Sequence, residues 1–255
     1  MNKTVLITGA SAGIGEETAR IFAKNGYNLI LFARRIDKLK ELAEILIKEY
    51  AIKIYTAKVD VCISDEVKNA ILELPNEFRN ISILVNNAGL AAGLSDLEHG
   101  SIDNWDRMID TNVKGMLYLT KYCIPLLKQI KYSHIINIGS IAAKDIYQNG
   151  NVYCASKHAV DALTKSMRLE LSSYPIKVTG IHPGAVETEF SLVRFDGDGA
   201  KAKSVYEGFE NLVASDIAEA IFWCVTRPKH VNINELTIMP TAQPKAGIIH
   251  KNLAE

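Results

Sequence analysis

Cysteine is scarce in this chain of 255 residues, and the four present, Cys62, Cys123, Cys154 and Cys224, never stand in a Cys-x-x-Cys spacing. That excludes a thiolate zinc site and a dithiol redox pair, and it predicts free thiols in a reducing compartment. Cys154 reads as a small helix-packing residue, since the sequence shows no local base to make it a nucleophile. The six histidines form no close metal-ligand pattern, so no metal is expected. An excess of charge of one sign is also missing: 29 basic and 29 acidic residues cancel, and no dense basic tract occurs. Neither nucleic acid nor an anionic membrane surface is an expected partner, and a small molecule fits better. No apolar stretch is long enough to span a bilayer. Met1-Asn2-Lys3 leads straight into an apolar run instead of a secretory segment, so a soluble, cytoplasmic protein is expected. There is no internal repeat and no low-complexity tract.

What is present is a regular alternation. Short β-branched runs at 4–7, 28–33, 52–58, 82–86, 134–139, 176–181 and 235–239 predict strands. Amphipathic runs at about 14–25, 37–49, 65–74, 103–130, 151–173 and 215–226 predict the helices between them. Such alternation predicts an α/β fold: a Rossmann-type, doubly wound parallel sheet of about seven strands with helices on both faces. With 48% hydrophobic residues the chain can bury one good core, and 1–255 reads as a single domain.

The chemistry begins with Tyr153 and Lys157, which an i,i+4 spacing puts on one helix face, and with Ser140 at the end of an apolar strand run. An ammonium beside a phenol favours phenolate. An unperturbed phenol near pKa ~10 is a poor base, and moving it to about 7 needs roughly 4 kcal/mol of differential stabilisation. One partly desolvated lysine supplies about 1 to 3 pKa units of this, so the sum closes only with a further cation such as an oxidised nicotinamide.

The amino terminus supplies a place for one. Strand Val5-Leu6-Ile7 runs into Thr8-Gly9-Ala10-Ser11-Ala12-Gly13-Ile14-Gly15 and then an amphipathic run. Strand, glycine loop and helix make a diphosphate cradle, because glycine lets the backbone approach closely and the helix start offers free N–H groups. About 20 residues on, the second strand ends in Ala33-Arg34-Arg35, with no acid where NAD-binding chains hold one for the ribose. Two guanidiniums suit a 2′-phosphate, so the expected coenzyme is NADP(H).

Taken together, these residues resemble the short-chain dehydrogenase/reductase family over nearly the whole chain. Thr8 to Gly15 resembles its cofactor loop, Asp60-Val61 its adenine contact, and Asn86-Asn87-Ala88-Gly89 its fourth-strand motif. Asn112, Ser140, Tyr153 and Lys157 match its catalytic tetrad, and Pro183-Gly184 with Val186 and Thr188 match the segment over the nicotinamide. The resemblance implies cofactor contacts at Gly9, Ser11, Gly13, Ile14, Gly15, Arg34, Arg35, Asp60, Val61, Asn87, Ala88, Tyr153 and Lys157 besides those four. Asn112 would hold a water linking Lys157 to solvent; read from sequence alone, it equally marks a helix kink. Stretches 188–195 and 230–241 resemble the branch of NADP-dependent 3-hydroxy acid dehydrogenases that act on serine and L-allo-threonine. Many NADP-using relatives carry a basic residue in the glycine loop where this chain has Ala12, so the coenzyme expectation rests on Arg34 and Arg35.

The implied reaction moves a hydride between nicotinamide and a secondary alcohol or ketone. Tyr153 would take the hydroxyl proton and Ser140 would steady the same oxygen. The glycine-bearing, mixed-charge segment 189–214 reads as a substrate lid, and Arg194 on it or Lys144 could bind a substrate carboxylate. Apolar residues Met116, Leu117, Leu119, Val160, Leu163 and Leu171 on two long helices suggest a subunit interface, a homotetramer by resemblance, or simply deeper burial. The tail after Met239 could also reach a neighbour. His182, after Val178-Thr179-Gly180-Ile181, reads as a core residue or one near the coenzyme. A broader carbonyl reductase and a non-catalytic NADP(H) sensor are the competing readings; the intact tetrad argues against the sensor.

Overall fold

Near-continuous apolar runs, with Val5 and Ile7 facing one way and Leu6 the other, mark strands covered on both faces. The computed structural model describes residues 3–251. Its strands are β1 (Thr4–Thr8), β2 (Asn28–Ala33), β3 (Ile54–Lys58), β4 (Ile81–Asn86), β5 (Ser133–Ile138), β6 (Ile176–Pro183), β7 (Val186–Glu187), β8 (Leu212–Val213) and β9 (Glu235–Ile238). The helices are α1 (Gly13–Lys24), α2 (Ile36–Glu49), α3 (Ser64–Leu72), α4 (Ile102–Ile109), α5 (Met116–Leu127), α6 (Asn151–Glu170), α7 (Phe190–Arg194), α8 (Gly199–Ser204) and α9 (Ala214–Val225).

Seven strands form one parallel sheet in the order β3-β2-β1-β4-β5-β6-β9, and β7 pairs with β8 apart from it. Helices α1, α2 and α9 cover one face through Phe22, Leu39, Leu46, Ile217 and Ile221. Helices α3, α5 and α6 cover the other through Val67, Ile71, Leu119, Val160 and Met167. The order reverses between β1 and β4, so the loops after these strands diverge and leave a crevice at the carboxyl edge, where open α/β sheets bind ligands.

The expected single helix over 103–130 is corrected: α4 and α5 are separated by a π-helical stretch, Asp110–Gly115. Its extra residue lets Asn112 turn inward, where Oδ1 accepts from Leu90 N–H at 2.8 Å and Nδ2 donates to Leu90 O at 2.8 Å and Ser156 Oγ at 3.0 Å. Gly115 closes the stretch against the loop after β3, so tightly that a Cβ there would lie 2.8 Å from Val61 Cγ2.

The apolar residues offered as an interface divide. Met116, Leu119, Val160 and Leu171 are buried within the chain, Leu163 is half-buried, and Leu117 is exposed. Burial against the sheet therefore accounts for most of them. The tail after β9 folds back onto its own chain: Gln243 Oε1 accepts from Ala185 N–H at 2.8 Å, and Ala246, Gly247 and Ile249 reach the crevice.

Candidate active site

The glycine loop after β1 opens one wall of a cavity of about 630 Å³. Gly9 has φ +65°, a left-handed conformation that side chains disfavour, and a Cβ on Gly15 would lie 2.4 Å from Gly9 O. The loop thus demands glycine at both positions, and it leaves the backbone at the start of α1 bare. Thr8 ties this loop to β4: its Oγ1 accepts from the N–H groups of Asn87 and Ala88 at 3.1 and 3.0 Å, and Asn87 Nδ2 donates to Thr8 O at 2.9 Å. Gly9, Ser11, Gly13, Ile14, Asp60, Val61, Asn87, Ala88, Pro183, Gly184, Val186 and Thr188 all line the cavity, as do Arg34 and Arg35. Gly15 stands behind its backbone. A long cleft with bare helix-start amides in its middle and guanidiniums at one end fits an elongated dinucleotide.

At the other end Ser140, Tyr153 and Lys157 share the cavity wall. β5 delivers Ser140, whose Oγ accepts from Ala142 N–H at 3.1 Å, and the first turns of α6 deliver Tyr153 and Lys157. The Lys157 ammonium is buried, donates to Ile138 O at 3.0 Å, and lies 6.0 Å from the centre of the Tyr153 ring. Burial pushes its pKa down to about 8. Burial also raises the Tyr153 phenol above its ordinary value, while the Ser140 hydroxyl and the Arg194 guanidinium pull it the other way. In the protein alone desolvation wins at both groups, so Lys157 by itself does not make Tyr153 a base, in line with the expected need for a further cation.

Asn112 does not face the cavity, and both ends of its amide are committed to Leu90 and Ser156. It clamps the loop after β4 to α6, the helix that carries Tyr153 and Lys157. The helix kink expected at Asn112 is this π-helical stretch.

The two candidates for a substrate anion part company. Lys144 does not line the cavity; its ammonium bonds Asp161 Oδ1 at 2.8 Å and Glu235 Oε2 at 2.7 Å. It supplies the counter-charge where Asp161, His182 and Glu235 converge within 4.8 Å, and its proposed substrate contact is corrected. His182 is buried under Gly139, whose added Cβ would meet Nδ1 at 2.4 Å, and desolvation lowers its pKa to about 4. It does not reach the cavity either. Arg194 does: its guanidinium carbon lies 5.3 Å from the centre of the Tyr153 ring, and Nη2 donates to the Tyr147 hydroxyl. Its Nε is buried without a partner among the described residues. The main chain of Arg194 is pinned by Gly93 N–H at 2.9 Å, and Phe190 packs edge-on against Tyr153 at 5.8 Å.

Sequence reasoning missed Tyr147, Tyr206 and Gln243, which line the cavity, and Glu189, which bonds Arg35 and Lys38. Tyr206 bonds Val186 O at 3.0 Å and receives the Ser191 hydroxyl at 2.6 Å, stitching α7 to the strand below it. No motif marks these residues, since their partners lie far along the chain.

The sequence pattern of short chain dehydrogenases matches residues 3–197. The chain is 42% identical over 249 residues to the NADP-dependent 3-hydroxy acid dehydrogenase YdfG of Shigella flexneri, covering 97% of this chain and 99% of that one. It is 42% identical over 244 residues to sulfoacetaldehyde reductase 2 of Chromohalobacter salexigens, covering 95% and 96%. Among solved structures, the closed form of serine dehydrogenase complexed with NADP+ superposes with a TM-score of 0.92 at 42% identity, over 97% of this chain and 99% of that one. Glycine cradle, tyrosine–lysine helix and near-complete coverage agree, and the chain belongs to the short chain dehydrogenase family.

Proposed function

We propose that this chain is an NADP(H)-dependent oxidoreductase that interconverts a 3-hydroxy acid and its carbonyl form. One observation carries the reading. A single cavity holds a diphosphate cradle with Arg34 and Arg35 at one end, and Ser140, Tyr153, Lys157 and Arg194 at the other. The relatives named for NADP and for 3-hydroxy acids support the same coenzyme and substrate class.

Bound NADP(H) supplies the hydride acceptor or donor and, when oxidised, a positive charge. The Tyr153 phenolate takes the proton from the substrate hydroxyl and becomes the phenol, and Ser140 Oγ donates a hydrogen bond to the same substrate oxygen. Lys157 stabilises the tyrosinate, and with the coenzyme's charge it offsets the burial that holds the phenol protonated. Asn112 positions the loop after β4 and the helix bearing Tyr153. Arg194, the cation nearest Tyr153 with a free buried donor, binds the substrate carboxylate. Residues 189–214 act as the lid, with Phe190 and Tyr147 walling off water beside Tyr153.

A second reading uses the same guanidinium. A sulfonate is also a compact anion, and the 42% identical sulfoacetaldehyde reductase supports sulfoacetaldehyde as a substrate. Initial rates with NADP⁺ and NAD⁺ against L-serine, L-allo-threonine, 3-hydroxybutyrate, 3-hydroxypropionate and isethionate decide between them. Turnover of the carboxylates with NADP⁺, lost by about 10²–10⁴-fold in Tyr153→Phe, is expected. Arg194→Gln should raise KM for the acids by about tenfold or more while sparing a neutral alcohol. Silence toward every acid with reduction of neutral ketones would overturn the substrate class.

A cytoplasmic location accords with four free thiols, and among the described residues no helix is long and apolar enough to cross a membrane. The exposed Leu117 on α5 and Leu169 on α6 support assembly through these helices, as a homotetramer that light scattering would register at four times the chain mass.

A further inference from the structure

The end of β2 carries no acid, yet an acid stands there in space. Glu189, 154 residues beyond Arg35, reaches back from the base of α7. Its Oε2 accepts from Arg35 Nη1 at 2.8 Å and its Oε1 from Lys38 Nζ at 3.2 Å. Two further N–H groups of Arg35 go to Ser11, Nε to Oγ at 3.2 Å and Nη2 to the main-chain oxygen at 3.3 Å. Arg34 makes no hydrogen bond or ion pair among the described residues and lines the same cavity. Two of the three cations at this corner are thus already matched by an internal carboxylate. Arg35 and Lys38 hold the Glu189 carboxyl below the usual carboxylate range, so it is anionic at neutral pH.

We propose that Glu189 is a coenzyme-specificity residue: its carboxylate occupies the Arg35–Lys38 seat that a 2′-phosphate needs, and it offers acceptor oxygens to a ribose that has no phosphate. The inference rests on the NADP(H) reading and deepens it. A 2′-phosphate binding there must displace or share with Glu189, and like charges side by side repel. The bridge is cheap to break, because Arg35 and Glu189 are both 45% exposed at the side chain and such pairs are weak. A coenzyme with a free 2′-hydroxyl breaks nothing, and a carboxylate is the group that reads that hydroxyl in NAD sites. Glu189 therefore narrows the gap between the two coenzymes that Arg34, Arg35 and Lys38 would otherwise open.

The test measures binding of 2′,5′-ADP and of 5′-ADP to the full chain by calorimetry, for wild type, Glu189→Gln and Glu189→Ala, with no substrate present. Both variants should bind 2′,5′-ADP about three- to fivefold more tightly and 5′-ADP no more tightly, so the affinity ratio rises. A ratio that stays fixed or falls in both variants overturns the inference, even if turnover changes, because a residue that merely anchors α7 alters both ligands alike. The wild-type ratio tests the underlying reading separately. Equal wild-type affinities that become unequal in the variants would keep the role of Glu189 and remove the NADP(H) preference, whereas a wild-type preference untouched by the variants would do the reverse.

Discussion

Tyr153 and Lys157 are where the sequence pattern and the electrostatics of the folded chain pull apart. The spacing places them on one face, but α6 buries both, and burial disfavours the charged form of each. For Lys157 this has a stability consequence with a definite sign. Its folded pKa of about 8 lies below the ordinary lysine value of about 10.4, so between these the unfolded chain binds a proton that the folded chain does not. Stability from this group accordingly rises with pH through that window. In urea titrations without coenzyme, wild type should gain on Lys157→Met from pH 8 to 10, by at most about 1.4 kcal/mol per pH unit. A difference that is flat with pH would mean that the ammonium is stabilised by water or by the Ile138 carbonyl. Arg194 and Lys144 illustrate the same point for substrate contacts. Both are cations near Ser140 or Tyr153 in sequence or space, and only the fold decides that one meets Asp161 and Glu235 while the other meets Tyr147.

Among the elements, the π-helical stretch Asp110–Gly115 has the largest influence on the site. It turns Asn112 onto Leu90 and Ser156, and it brings the backbone of Gly115 against Val61, a residue of the cavity wall. Gly115→Ala would place a methyl 2.8 Å from Val61 Cγ2. Overpacking of this kind costs about 1–3 kcal/mol, and here the strain falls on the Asp60–Val61 loop. The variant should unfold at lower urea and bind 5′-ADP more weakly; undiminished affinity with lowered stability would show that the strain relaxes into α5 instead. The segment 189–214 is the other decisive element. Two short helices and the strand β8, which pairs with β7 just before the segment, lie where the sequence shows only glycine and mixed charge, and the turn between the helices uses Asp196 at φ +49° and Gly197 at φ +90°. Elements of five or six residues carry too little periodicity to be read ahead of the contacts that hold them.

For the molecule as a whole, charge balance is the plainest trait. With 29 residues of each sign and a pI near 7.0, the chain carries little net charge in neutral buffer. Solubility should therefore be lowest near pH 7 and rise on either side, as measured by ammonium sulfate precipitation midpoints. A minimum well away from pH 7 would point to association through the exposed apolar side chains of α5 and α6 instead of through charge. The same neutrality keeps electrostatics local: the fields that matter are those of single side chains such as Arg34 and Arg194, not the field of the whole surface.

Sequence alone determined the parallel α/β sheet, since strand period, strand length and the alternation with amphipathic runs depend only on neighbours along the chain. It also determined the glycine cradle and the Tyr153–Lys157 pair, because both are spacings between residues a few positions apart along the chain. Tertiary structure decided the rest: which cation faces the cavity, how the tail and α7 cover it, that Asn112 clamps instead of projecting, and that Glu189 stands beside Arg35. Each of these joins residues tens to more than a hundred positions apart, and burial, which sets the protonation of Tyr153, Lys157 and His182, exists only once the chain has closed around them.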